Sequence, residues 1–125
     1  MSILITNNPL VEAQFHDSCT VVFTDESLLC LLIRVRDRIH EGRRLLTHPL
    51  SGSVKPNETL YKSVLVSEAG NETDPQSVII IEECLAAVRK FPPVGISDDY
   101  LPDLQAVDLS LIQSALVSFK PTTGI

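Results

Sequence analysis

Apolar residues come in short runs along this chain, and each run is followed by a recognisable helix start or turn. Ser2–Thr6 (SILIT) and Thr20–Thr24 (TVVFT) are β-branched segments of strand length. The first stops at Asn7-Asn8-Pro9, where Asn8 predicts a cap and Pro9 the first turn of a short helix ending at about Phe15. The second runs into Asp25-Glu26-Ser27, and Leu28, Leu32, Val35 and Ile39 then recur at helical spacing, which predicts a helix over Glu26–Glu41 with Gly42 as its stop. Arg43–Thr47 (RRLLT) and Leu60–Ser67 (LYKSVLVS) read as a third and a fourth strand, the direction of the fourth being open. Asp74-Pro75 starts a helix whose stripe Val78, Ile81, Leu85 and Val88 carries it to Phe91, before Pro92-Pro93. Leu104–Val107 (LQAV) reads as a short fifth strand, and Asp108 as the cap of a last helix, Leu109–Phe119.

Strands alternating with helices predict a single α/β domain with a small, mainly parallel sheet of four or five strands and helices on both faces. A chain of 125 residues fits one domain, and 44% apolar residues with no Trp predict an aliphatic core. The net charge of −6 and pI of about 4.9 argue against a nucleic-acid partner, which needs a basic surface. Arg34, Arg36, Arg38, Arg43 and Arg44 are grouped, but read as solvated charge on a helix face. No apolar run approaches the roughly 18–20 residues of a membrane span, so no membrane association is expected. The three cysteines, Cys19, Cys30 and Cys84, include no C-x-x-C pair. Cys30 and Cys84 are expected in the core and unbonded, Cys19 partly exposed, in a reducing cytoplasmic setting. His16, His40 and His48 lack metal-ligand spacing, so neither metal nor cofactor is expected.

Ligands of open parallel sheets bind outside the carboxyl ends of the strands. Three strands here end in polar residues, at Asn7-Asn8, Thr24-Asp25 and Thr47-His48. Parallel strands would bring these ends to one edge, where the long segment 47–63 begins. Ser51-Gly52-Ser53 offers backbone donors and hydroxyls to an anion, Asn57 a further polar side chain, and Lys55 and Lys62 positive charge. His48 is the candidate proton donor or acceptor. The expected ligand site is therefore Asn7, Asn8, Asp25, Thr47, His48, Ser51, Gly52, Ser53, Lys55, Asn57 and Lys62. Neither a Walker A loop nor a G-x-G-x-x-G is present.

The segments ILITNNPLV and LLTHPLSGSVKPNETLYKS resemble the GrdX family, small proteins encoded beside the components of glycine, sarcosine or betaine reductase in anaerobic bacteria. The resemblance implies a context of selenium-dependent amino-acid reduction in the cytoplasm. It implies no catalytic residues. Three functional readings follow. The first is an accessory or regulatory protein that binds a small anionic metabolite or a reductase component through segment 47–63. The second is a small enzyme using His48 as general acid/base at the strand ends. The third is a structural or assembly protein in which the segment shapes a homo-oligomer interface.

Overall fold

Asn8 ends the first strand and begins the first helix. Its side-chain Oδ1 accepts the Leu10 N–H at 3.0 Å and Pro9 occupies the first turn, so β1 (Ile3–Thr6) passes at once into α1 (Pro9–Phe15). In this computed structural model, which describes residues 1–50, 60–91 and 95–118, α1 crosses over to β2 (Thr20–Phe23), parallel to β1 in the register Ile3↔Thr20 to Thr6↔Phe23. Ser27 caps α2 (Leu28–His40) by accepting the Cys30 N–H at 3.3 Å, so the helix starts two residues after the expected Glu26. Gly42, at φ 96°, turns the chain out of this helix. A Cβ there would lie 2.4 Å from the Gly70 carbonyl oxygen, so glycine is required twice over.

β3 (Ser63–Val66) runs antiparallel to β1, pairing Thr6 with Ser63 and Ile3 with Val66. Asp74 and Pro75 open α3 (Pro75–Lys90) as expected, the Asp74 carboxylate accepting from the Ser77 N–H at 3.1 Å and from the Ser77 hydroxyl at 2.7 Å. A short 3-10 turn at Asp98–Tyr100 leads into α4 (Leu101–Ser118).

The α/β class and the helices on both faces hold, but the sheet is mixed and has three strands in the order β2-β1-β3 among the described residues. The expected sheet of four or five mainly parallel strands needs three corrections. Residues 43–47 lie along β3 through one bridge, Leu45↔Val66, too brief a ladder for a strand. β3 is antiparallel to β1 because it folds back on residues 43–47 through the antiparallel bridge Leu45↔Val66, and those residues run in the direction of β1. Leu104–Val107 is helical: Leu104 belongs to the stripe Leu101, Leu104, Asp108, Ile112 and Ala115, in which Asp108 and Ile112 are buried, while Val107 is exposed.

Alternation along β1 and β3 divides the core. Ile3, Ile5, Val64 and Val66 face α2 and α3, meeting Leu31, Leu32, Val35, Ile39, Ile81 and Leu85. Leu4 and Leu65 face the other way, onto Val11 of α1 and Ile112 of α4. All three cysteines are free; Cys84 is buried as expected, whereas Cys30 is only half-buried on the flank of α2. Burial, and secondarily Glu83, pushes the Cys84 thiol up to about 11. Among the described residues no helix is long and apolar enough to cross a membrane.

Leu32 is fully buried on the α2 stripe. Leu32→Ala is expected to lower unfolding free energy by about 2–5 kcal/mol in urea titration. A loss well below 1 kcal/mol would place the stripe on the wrong side of the helix.

Candidate functional site at the carboxyl edge of the sheet

An otherwise aliphatic core turns polar where β1 ends. Thr6, Asn7, Asn8, Lys62, Ser63 and Asp108 are all buried there, none more than 4% exposed. Buried polar atoms of this kind require partners, and these side chains provide them for one another. The Asn8 N–H donates to Thr6 Oγ1 at 3.0 Å, and the Thr6 and Ser63 hydroxyls lie 2.7 Å apart. Ser63 Oγ donates to Asp108 Oδ2 at 2.8 Å, which leaves Ser63 to accept from Thr6. The same Asp108 oxygen accepts from Asn8 Nδ2 at 3.0 Å, closing the ring. Asn8 Nδ2 also donates to the Gln105 carbonyl at 2.9 Å, so both ends of the Asn8 amide are engaged.

Asn7 performs the matching task on the opposite side. Its Nδ2 donates to the Glu26 carbonyl at 3.1 Å, ahead of α2, and to the Leu60 carbonyl at 2.9 Å. Its Oδ1 accepts the Lys62 N–H at 2.9 Å. Asn7 thereby fixes the point at which the chain re-enters the sheet after segment 47–63. Lys62 follows at once, 4% exposed. Burial pushes its ammonium below the usual lysine range, and the neighbouring Asp108 carboxylate pulls it part of the way back.

The remaining expected site residues are more widely placed. Residues 43–47 run in the same direction as β1, since they are antiparallel to β3. Thr47 and His48 do therefore leave the sheet at the edge where Asn7-Asn8 and Thr24-Asp25 leave it. The strand order separates them along that edge, however, with Asp25 after β2 at one end and His48 at the other, three strand spacings or about 14 Å apart in backbone terms. Thr47 Oγ1 accepts the Leu65 N–H at 3.0 Å. His48 is exposed and its Nδ1 accepts the Leu50 N–H at 3.1 Å, which leaves the neutral ring protonated on Nε2. No carboxylate orients it among the described residues. Ser51, Gly52, Ser53, Lys55 and Asn57 lie outside the described residues.

Sequence reasoning missed Thr6 and Ser63 and gave Asp108 the wrong role. The usable signal was one acidic residue on the inner stripe of an otherwise apolar helix. At the opposite edge of the sheet an open groove of about 400 Å³ is lined by Arg44, Glu68, Glu72 and Asp74 around the Gly42–Gly70 contact. Its three carboxylates suit it poorly to the anion expected from the sequence.

Asp108→Ala strips the ring of its shared acceptor and Lys62 of the opposing charge. We expect a loss of about 3–5 kcal/mol, and a loss under 1 kcal/mol would mean that water replaces the carboxylate at no cost. The lowered Lys62 pKa sets a pH dependence. Between the folded value and the ordinary value of 10.5, the unfolded chain binds the proton more tightly than the folded one. Stability therefore rises with pH through that window. The Cys84 thiol works in the opposite sense between 9.0 and about 11, its contribution falling as pH rises. Comparing wild type with Lys62→Met isolates the lysine, because the thiol is common to both. The stability difference between the two proteins should narrow or shift in favour of wild type as pH rises toward 10.5, and a difference independent of pH would refute the shift.

Comparison with curated proteins and with solved structures finds no match. The family described as GrdX-like protein matches residues 3–117, which takes in every strand, all but the last residue of α4, and the whole buried ring. This chain belongs to the GrdX-like family.

Proposed function

We propose that the protein is an accessory or regulatory component of glycine, sarcosine or betaine reductase metabolism. In this reading it binds a small anionic ligand, or a reductase component presenting an anionic group, through segment 47–63. The family supplies the metabolic context, as the resemblance of its loop segment implies. The observation that carries the ligand reading is the position of Lys62. A lysine buried to 4% exposure stands where segment 47–63 returns to the sheet, at the edge that serves α/β proteins as a ligand site. Charge held in such surroundings acts on an incoming anion more strongly than charge in water.

The polar residues divide into two sets in this reading. Asn7, Asn8 and Thr47 fix the edge, with their side chains already engaged. Lys62 contributes its positive charge from its buried position beside Asp108, and His48, Ser51, Gly52, Ser53, Lys55 and Asn57 supply the groups that meet the ligand. Asp25 stands at the far end of the edge and would contact only a ligand that extends along it.

Two measurements test the proposal together. Inorganic phosphate, acetyl phosphate and glycine are each titrated while the melting temperature is followed. A ligand at a hundred times its dissociation constant stabilises by about 2.7 kcal/mol, and Lys62→Met should abolish the response. The immobilised protein is also exposed to an extract containing the reductase components. No thermal response to any of the three compounds, together with no reductase component retained, would overturn the proposal.

A further inference from the structure

The two edges of the sheet are treated differently. Beyond β3 the edge is closed by residues 43–47, where the outward Leu45 N–H donates to Ser77 Oγ at 3.0 Å and the Ser77 hydroxyl donates in turn to Asp74 Oδ2 at 2.7 Å. Beyond β2 nothing comparable is present among the described residues. In a parallel pair, alternate residues turn both backbone groups toward the neighbouring strand. The Thr24 N–H donates to the Thr6 carbonyl at 3.0 Å, so Thr24, Val22 and Thr20 face β1. Val21 and Phe23 face outward, and their N–H and C=O groups find no partner among the described residues.

Edge strands are ordinarily blunted by lysine, proline, a bulge, an inward charge or a covering element, or by being very short, and β2 has only the last of these among the described residues, with four residues. Ser18–Thr24 (SCTVVFT) contains none of the first two and no charge, and β2 pairs with β1 without a bulge. Phe23 at the end of this edge is 39% exposed.

We propose that the free edge of β2 is a homodimer interface, in which β2 of a second copy pairs antiparallel about a two-fold axis through Val22. The outward groups select the register. Only when Val21 stands opposite the second copy's Phe23, and Phe23 opposite its Val21, do all the outward N–H and C=O groups exchange hydrogen bonds. The axis then falls on Val22, and the three strands of each copy join into one continuous sheet. This register also matches the side chains. It sets Val21 beside the second Phe23, Val22 beside the second Val22, and Thr20 beside the second Thr24, all favourable cross-strand combinations. No charged residue lies within Thr20–Thr24, and Asp17 and Asp25 flank the ladder outside it. Each copy carries a net charge of −6, so added salt should strengthen the pairing. The interface is small, which makes the dimer a concentration-dependent one. An extended segment of an unrelated protein could use the same groups, but it would lack the two-fold match of Val21 with Phe23. This inference stands apart from the ligand reading, since the outer side of β2 faces away from β3 and residues 43–47.

Sedimentation of the full chain across a wide concentration range tests it. The apparent mass should rise from 13.7 kDa toward twice that value, more readily in high salt. Phe23→Pro removes one outward N–H and leaves the β1 ladder intact, and Phe23→Lys places an edge charge without altering the backbone. Both variants, checked for native circular dichroism, should remain at the mass of one chain. Amide exchange provides a readout independent of either variant. Between dilute and concentrated wild type, the Val21 and Phe23 amides should slow by about tenfold while the Val22 amide, bonded to β1, keeps its rate. A single-chain mass at every concentration, a dimer that survives both substitutions, or a dimer without protection of Val21 and Phe23 would each overturn the proposal. So would an edge that binds a foreign peptide while the protein alone stays a monomer.

Discussion

A carboxylate in the interior of a protein must be met by donors or the fold that buries it is lost. Asp108 is 3% exposed, and its donors come from the end of β1 and the start of β3. That requirement fixes more than one contact. It holds Thr6 opposite Ser63, and so the register of the antiparallel pair, since a slip of one residue would turn both hydroxyls to the other face. It also fixes the rotation of α4. This helix carries apolar residues nearly all round, with Val107, Leu111 and Val117 exposed and Ile112 buried, so hydrophobic burial alone selects its inner face weakly. The inward-facing charge selects it.

The carboxyl edge is therefore assembled by side chains that lock elements together. Asn7 joins the chain returning at Leu60 and Lys62 to the entrance of α2, and Asn8 joins α1 to α4. The two sheet edges contrast with each other: one carries residues 43–47 tied to Ser77, and the other, among the described residues, ends in unpaired backbone.

The sequence makes some of this legible and hides the rest for identifiable reasons. Caps and prolines are local, and Asn8-Pro9 and Asp74-Pro75 start α1 and α3 where they stand in the chain. The α2 stripe spans enough turns for its period to be unambiguous. Direction is not local: the apolar run Ser63–Val66 has the same pattern whether it pairs parallel or antiparallel, and only its partner decides. Leu104–Val107 is too short to separate a strand from a turn of helix, and Pro102 before it resembles a break although it sits in the first turn of α4. Asp108 looks like a cap because an aspartate before an apolar run usually is one. Its true role depends on Ser63 and Asn8, which lie far away in sequence. Asn7 and Asn8 were recognisable as residues of the edge, while the hydrogen bonds that occupy them depend on tertiary contacts.

The bond between Asn8 and Asp108 spans 100 positions of the chain, and it has a consequence for how the molecule is made. Synthesis proceeds from the amino end, and β1, β2, α2, β3 and α3 all emerge before α4. Until α4 arrives, the Ser63 hydroxyl and the Asn8 amide have no acceptor in Asp108, and Leu4 and Leu65 have no cover from Ile112. The face formed by α2 and α3 can close early, whereas the other face has only α1 to cover it until nearly the whole chain has been translated. Closure over so long a separation also makes folding slow relative to a helical bundle of the same size. The half-built molecule is thus one-sided, its second layer completed by the last helix to appear.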